Sequence, residues 1–215
     1  MQAVLFDLDG TLTNTLDDIA DAMNRALRLH GLPEWTVDDY RYLVGNGAKI
    51  LSQRAVRDRQ ELADVVLRDY QDWYGAHALD KTRPYPGIPE LLAELQARGI
   101  PMAVLSNKPD ADTQNVVRHF FPEIRFAVIR GQVPGVPVKP DPAGALAIAA
   151  ELEKSPAQIC YVGDTAVDMT CANRAGMLPV GALWGFRDEE ELLGAGALRL
   201  IRTPGELLSL RLPEA

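Results

Sequence analysis

The chain has 215 residues, of which 47% are hydrophobic and 24% charged. This is the balance of a folded globular protein and not of a disordered, collagen-like or fibrous one. Twenty-two Lys and Arg against thirty Asp and Glu leave a formal charge of -8, which, without a basic run, argues against a phosphate-tracking nucleic-acid surface.

No apolar stretch approaches the ~20 residues of a membrane span. No basic segment precedes an apolar core at the N-terminus. Two cysteines, Cys160 and Cys171, make neither a disulfide framework nor a zinc site. The expectation is a reduced, cytoplasmic protein, with no membrane or nucleic-acid partner, as a monomer or a homodimer.

The first apolar run, Ala3–Leu8, is continuous rather than alternating, as in a strand buried on both faces of a parallel sheet. Asp7-Leu8-Asp9-Gly10-Thr11 follows it directly, at the strand's carboxyl end, where open parallel sheets hold their ligands. Period-two alternation sets residues 7 and 9 on one side of the backbone, and Gly10 allows a sharp turn or close approach to an anion. An ordinary acidic turn is the plainer alternative.

From Thr15 to about Thr82 the pattern is helical only, over Leu16–Leu29, Val37–Val44, Ala48–Arg57 and Glu61–Ala78. So long a block is not one crossover. It predicts a helical insertion spanning residues 15–82, with the remaining core formed by residues 1–14 and 83–215. Asn14 and Pro84-Tyr85-Pro86-Gly87 make its turn-like exits. Trp35, Tyr40, Tyr42 and Trp73 read as packing. Gly45-Asn46-Gly47, with Lys49 nearby, reads equally as a spacer between helices and as a substrate-selecting loop.

A helix is predicted over Ile88–Arg98, with Ile88, Leu91, Leu92 and Leu95 on one face and Gly99 past its end. The strand-like run Pro101–Leu105 ends in Ser106-Asn107-Lys108-Pro109, whose hydroxyl, amide and following helix start can donate to a phosphate oxygen. Simple helix capping is the alternative. Next come the run Phe126–Ile129, the loop Gly131–Val138 and Lys139-Pro140-Asp141-Pro142, where Pro140 keeps Lys139 extended.

A helix over Ala143–Leu152 and a strand over Gln158–Val162 lead to Gly163-Asp164-Thr165-Ala166-Val167-Asp168. Asp164 falls at a strand end, Asp168 one helical turn later, and each could instead cap the helix Val167–Ala175. Met177–Leu183 and Leu198–Ile201 are expected as edge strands. The alternation predicts an α/β fold with a parallel sheet flanked by helices. A serine, a lysine and three or four aspartates on one rim of that sheet suit a hard dication such as Mg²⁺, held by carboxylates and substrate phosphate.

Asp-x-Asp-Gly-Thr, Ser-Asn-Lys-Pro, Lys-Pro-x-Pro and Gly-Asp-x-x-x-Asp, in this order across residues 7–168 with a helical insert after the first, resemble the haloacid dehalogenase superfamily. Within it, Val44-Gly45-Asn46-Gly47-Ala48, Asn107-Lys108-Pro109 and Leu183-Trp184-Gly185 are similar to the phosphoglycolate phosphatase branch. The resemblance implies a Rossmann-like core with a helical cap, and a cytoplasmic Mg²⁺-dependent phosphatase acting on a small phosphorylated metabolite through an aspartyl-phosphate.

In it Asp7 is the nucleophile, Asp9 the general acid and base, and Ser106 and Lys139 hold the phosphoryl oxygens. Mg²⁺ is held by Asp7, Asp9 through its carbonyl, Asp164 and, directly or through water, Asp168. Thr11, Asn107, Lys108, Gly45, Asn46 and Gly47 contact substrate. Asn14 departs from the pattern, since many relatives carry an acid there. Alternatives are a sugar-phosphate mutase or phosphatase, a pyrophosphatase, a nucleotidase, or a non-hydrolytic phospho-aspartate switch. A dehalogenase lacks the second acid, and phosphonate hydrolysis needs a cap lysine for which Lys49 alone is available.

Overall fold

The computed structural model describes residues 2–210. Strand β1 (Ala3–Phe6) is buried along its whole length. The chain then forms β2 (Thr13–Asn14) and enters a set of helices: α1 (Leu16–Leu29), α2 (Val37–Leu43), α3 (Ala48–Ala55) and α4 (Ala63–His77), with a 3₁₀ turn at Gln60–Leu62. It returns through β3 (Arg83–Pro84), which pairs antiparallel with β2. Beyond lie α5 (Ile88–Ala97), β4 (Met102–Pro109), α6 (Asp110–Phe120), β5 (Val128–Gln132), α7 (Ala143–Glu151), β6 (Ile159–Gly163), α8 (Ala166–Ala175), β7 (Leu178–Ala182), α9 (Glu189–Gly194) and β8 (Arg199–Ile201).

The main sheet has six parallel strands in the order β5-β4-β1-β6-β7-β8. Period-two alternation divides its side chains between two layers. Val4 and Phe6 join the cluster that holds Leu91, Leu92 and Leu95 of α5 and Val116 and Val117 of α6. Ala3 and Leu5 face the opposite way, onto Ala145 and Ile148 of α7 and Cys171 and Ala172 of α8. Helices therefore cover both faces, as a doubly wound α/β sheet requires.

Helices α1 to α4 close a separate apolar cluster around Met23, Leu27, Tyr40, Leu51, Val66 and Tyr70, to which the sheet-bearing part contributes Phe186. Among the described residues no helix is long and apolar enough to cross a membrane.

Several elements differ from the sequence expectation. Helix α6 begins after Pro109, where a helix start was expected, but its extent was not foreseen, because its first turns are polar and only Thr113, Val116 and Val117 are buried. Strand β5 lies about two residues later than the apolar run, pairing Val128 to Gln132 with β4 at the sheet edge. Strand β7 is interior and fully buried, so β8 alone closes that edge. Tyr42, expected to pack, is 64% exposed and lies under the Arg187 guanidinium instead.

Candidate active site

The site is built at the carboxyl rim of β1, β4 and β6. Asp7 N–H still donates to Val162 O (2.9 Å), so its backbone continues the sheet ladder. The turn beyond it is pinned by Leu8 and Leu12, both fully buried, and by the Leu8 carbonyl, which accepts N–H bonds from Thr11, Leu12 and Thr13. Gly10 turns the chain at φ +88°, and a Cβ there would lie 2.2 Å from Asp164 Oδ2. Only a glycine lets the two segments approach this closely.

Asp7, Asp164 and Asp168, all buried, each place one carboxylate oxygen within 4.8 Å of the others. Asp7 Oδ1 accepts from Leu8 N–H (2.7 Å) and pairs with Lys139 Nζ (2.7 Å). Asp164 accepts the Thr11 hydroxyl (2.9 Å) on Oδ1 and the Phe186 N–H (2.8 Å) on Oδ2. Asp168 holds Lys139 Nζ (2.8 Å) on Oδ1, and the Thr165 hydroxyl and N–H (2.7 and 3.2 Å) on Oδ2.

One lysine thus faces three carboxylates. Burial, then Asp168, raises the Asp7 carboxyl well above its ordinary range despite Lys139. Burial and Asp168 likewise lift Asp164 to about 7. Burial disfavours the charge on Lys139, but Asp168 and Asp7 outweigh it and its pKa is raised. An oxygen-only cluster with uncompensated negative charge fits a hard divalent cation.

Asp9 does not join this cluster. Its carboxylate accepts two bonds from Lys108 Nζ (3.0 and 2.9 Å), and Lys108 also lies over the Tyr74 ring at 4.6 Å. Burial opposes the Lys108 charge, yet Asp9 and Tyr70 more than offset this and its pKa is raised.

A cleft opens above Asp7 and Asp9. Ser106, Asn107 and Lys108 of β4 form one wall, and Ile19, Val44, Gly45, Gly47, Leu51 and Tyr70 of the helical region form the other. Lys108 is the cationic side chain on that lining. The Asn107 side chain bonds the backbone of Lys139 and of Gly45.

Three expected contacts turn elsewhere, the Asn107 amide just described among them. The Thr11 hydroxyl is fully buried on Asp164, and Asn46 accepts from Arg54 (2.8 Å). Asn14 Oδ1 accepts the Leu16 N–H (3.3 Å) at the start of α1. Tyr70 and Phe186 on the cleft wall were missed. The spacing of Tyr70 and Tyr74, four residues apart on one helical face and stacked at 5.2 Å, was a usable signal for the first. The Phe186 N–H carries no residue-type signal at all.

A family model described as haloacid dehalogenase-like hydrolase matches residues 4–182. A phosphoglycolate phosphatase of Aquifex aeolicus (strain VF5) is 32% identical over 188 residues, 86% of each chain. Another, from Pseudomonas putida, is 34% identical over 195 residues, 85% of this chain and 70% of its own. Among solved structures, that of a predicted phosphoglycolate phosphatase from Haemophilus somnus matches with a TM-score of 0.90 at 29% identity over 97% of both chains. CbbY from Rhodobacter sphaeroides, in complex with phosphate, matches with a TM-score of 0.80 at 26% identity over 96% of both.

Proposed function

Because the chain belongs to the haloacid dehalogenase-like hydrolase family, we propose that it is a Mg²⁺-dependent phosphomonoester hydrolase acting on 2-phosphoglycolate through an aspartyl-phosphate. Most weight falls on one observation: Asp7, brought from β1, meets Lys139 and the carboxylates of Asp164 and Asp168 at the floor of a cleft that also carries Ser106 and Asp9.

In this mechanism a carboxylate oxygen of Asp7 attacks phosphorus, an O–P bond forms and the ester P–O bond breaks. Asp9 gives its proton to the departing alkoxide. It then takes a proton from the water that attacks the aspartyl-phosphate, releasing inorganic phosphate and restoring Asp7. Ser106 and Lys139 hold the phosphoryl oxygens. Asp7, Asp164 and the Asp9 carbonyl would hold Mg²⁺, with Asp168, bonded to Lys139 and Thr165, either behind them or joining them. When bound, the ion neutralises charge building on the phosphoryl group.

Lys108, a cation on the cleft lining, supports an anionic leaving group such as glycolate. Gly45 and Gly47 line the leaving-group side, while Thr11 and Asn46 act indirectly, through Asp164 and Arg54. Residues 15–82 form a cap over a core that, among the described residues, comprises 2–14 and 83–210, a division supported by the two separate apolar clusters.

The test is phosphate release from 2-phosphoglycolate beside sugar phosphates, nucleotides and pyrophosphate, in Mg²⁺ and in chelator. Turnover of phosphoglycolate should dominate, vanish with chelator and return with Mg²⁺. Asp7→Asn should fold and be inactive. Activity that survives in Asp7→Asn would overturn the nucleophile, and preference for another ester would overturn the substrate.

A further inference from the structure

We infer that Asn107 is a positioning residue that ties the placement of Lys139 to the seating of the helical bundle. Its side-chain amide, at the end of β4 and 5% exposed, is bonded on three sides. Nδ2 donates to the Lys139 carbonyl (2.9 Å) and to the Gly45 carbonyl (3.0 Å), and Oδ1 accepts the Lys139 N–H (2.9 Å). The first and third of these clamp the lysine's backbone. The second reaches across the cleft to the loop between α2 and α3.

An amide has two N–H donors, so with the bundle seated both are committed and none is left for a ligand. The loop lies so close that a Cβ on Gly47 would be 3.1 Å from the Asn107 carbonyl oxygen. Lifting the loop releases the Asn107 N–H that Gly45 holds and leaves the amide anchored only by its two bonds to Lys139, whose Nζ joins Asp7 to Asp168. This inference rests on the assignment of Lys139 to the phosphoryl group. Through Asn107, that lysine is held in its working position when the cleft is closed.

A double-mutant cycle tests it. Arg41→Ala removes two bonds from α2 to the carbonyls of Gly185 and Phe186 (3.0 and 3.2 Å), loosening the bundle without touching Asn107 or Lys139. Asn107→Ala should lower kcat about 10- to 100-fold with KM changed by less than about threefold, the pattern of a displaced catalytic group. Arg41→Ala should slow the enzyme alone but add nothing in the Asn107→Ala background.

Hydrogen exchange supplies a second readout, independent of turnover. Arg41→Ala should speed exchange at residues 45–48 and at Lys139 together, and only the former should still respond once Asn107 is gone. Should Asn107→Ala not fold, Asn107→Ser is too short to span both partners and takes its place. Multiplicative kinetic effects, or a Lys139 amide indifferent to Arg41→Ala in the wild-type background, would overturn the coupling. Were the wild-type protein no phosphatase, the exchange arm alone would decide it.

Discussion

A methyl group at Gly10 and the carboxylate of Asp164 cannot occupy the same space, since their separation would be 2.2 Å. Gly10→Ala should therefore push Asp164 away from Asp7 and weaken divalent-cation binding by about 10- to 100-fold, as losses of supporting groups around metals do. Isothermal titration with Mg²⁺ checks this. Lys139→Ala should lower kcat by about 10²- to 10³-fold, the cost of removing a preorganised donor at a developing charge, with circular dichroism confirming a folded chain. Asp7, Asp164, Ser106 and Lys139 were legible in the sequence because each follows an apolar run directly or sits in a Pro-bounded loop. The environment of Asp164 was not. Its partners Thr11 and Phe186 lie 153 and 22 residues away, and one of them is a backbone N–H. Arg41 was likewise invisible, since an arginine on a helix reads as a solvated residue until its carbonyl partners are known.

At the level of elements, the parallel strands were legible wherever both faces are buried, because such strands need continuous apolar sequence. Strand β5, half-buried at the edge, holds Arg130, Gly131 and Gln132 by pairing with β4, so composition misplaced it. The short β2–β3 ribbon carries too few residues to show a period. What secures it is Asp18 of α1, 4% exposed, which accepts the N–H groups of Lys81 (2.9 and 3.1 Å) and Thr82 (2.8 Å) and the Thr82 hydroxyl (2.7 Å). Asp18→Ala leaves these donors without their acceptor. It should destabilise the protein by about 3 kcal/mol, read as a lower denaturant midpoint at unchanged slope.

For the whole molecule, the unbalanced carboxylates make stability depend on pH and cation together. In metal-free protein Asp164 gives up its proton at about 7, whereas an unfolded aspartate does so near ~4. Between these values the native state binds more protons than the unfolded one. Stability is thus full below ~4 and is lost as pH rises through about 7. Asp7, raised for the same reasons, adds to this trend. In chelator, Tm should fall from pH 5 to pH 8. Saturating Mg²⁺ should restore it, and by more at pH 8, where the carboxylates are ready to bind. A flat Tm in chelator would count against the charge imbalance. The paired strands Thr13–Asn14 and Arg83–Pro84 have a consequence of another kind. The chain departs for the helices and comes back through neighbouring positions, about 5 Å apart as adjacent strands are. Everything between those two crossing points can be transplanted from a relative at two seams, giving a chimera that inherits a new selectivity wherever the incoming loop still accepts the Asn107 N–H that Gly45 takes here.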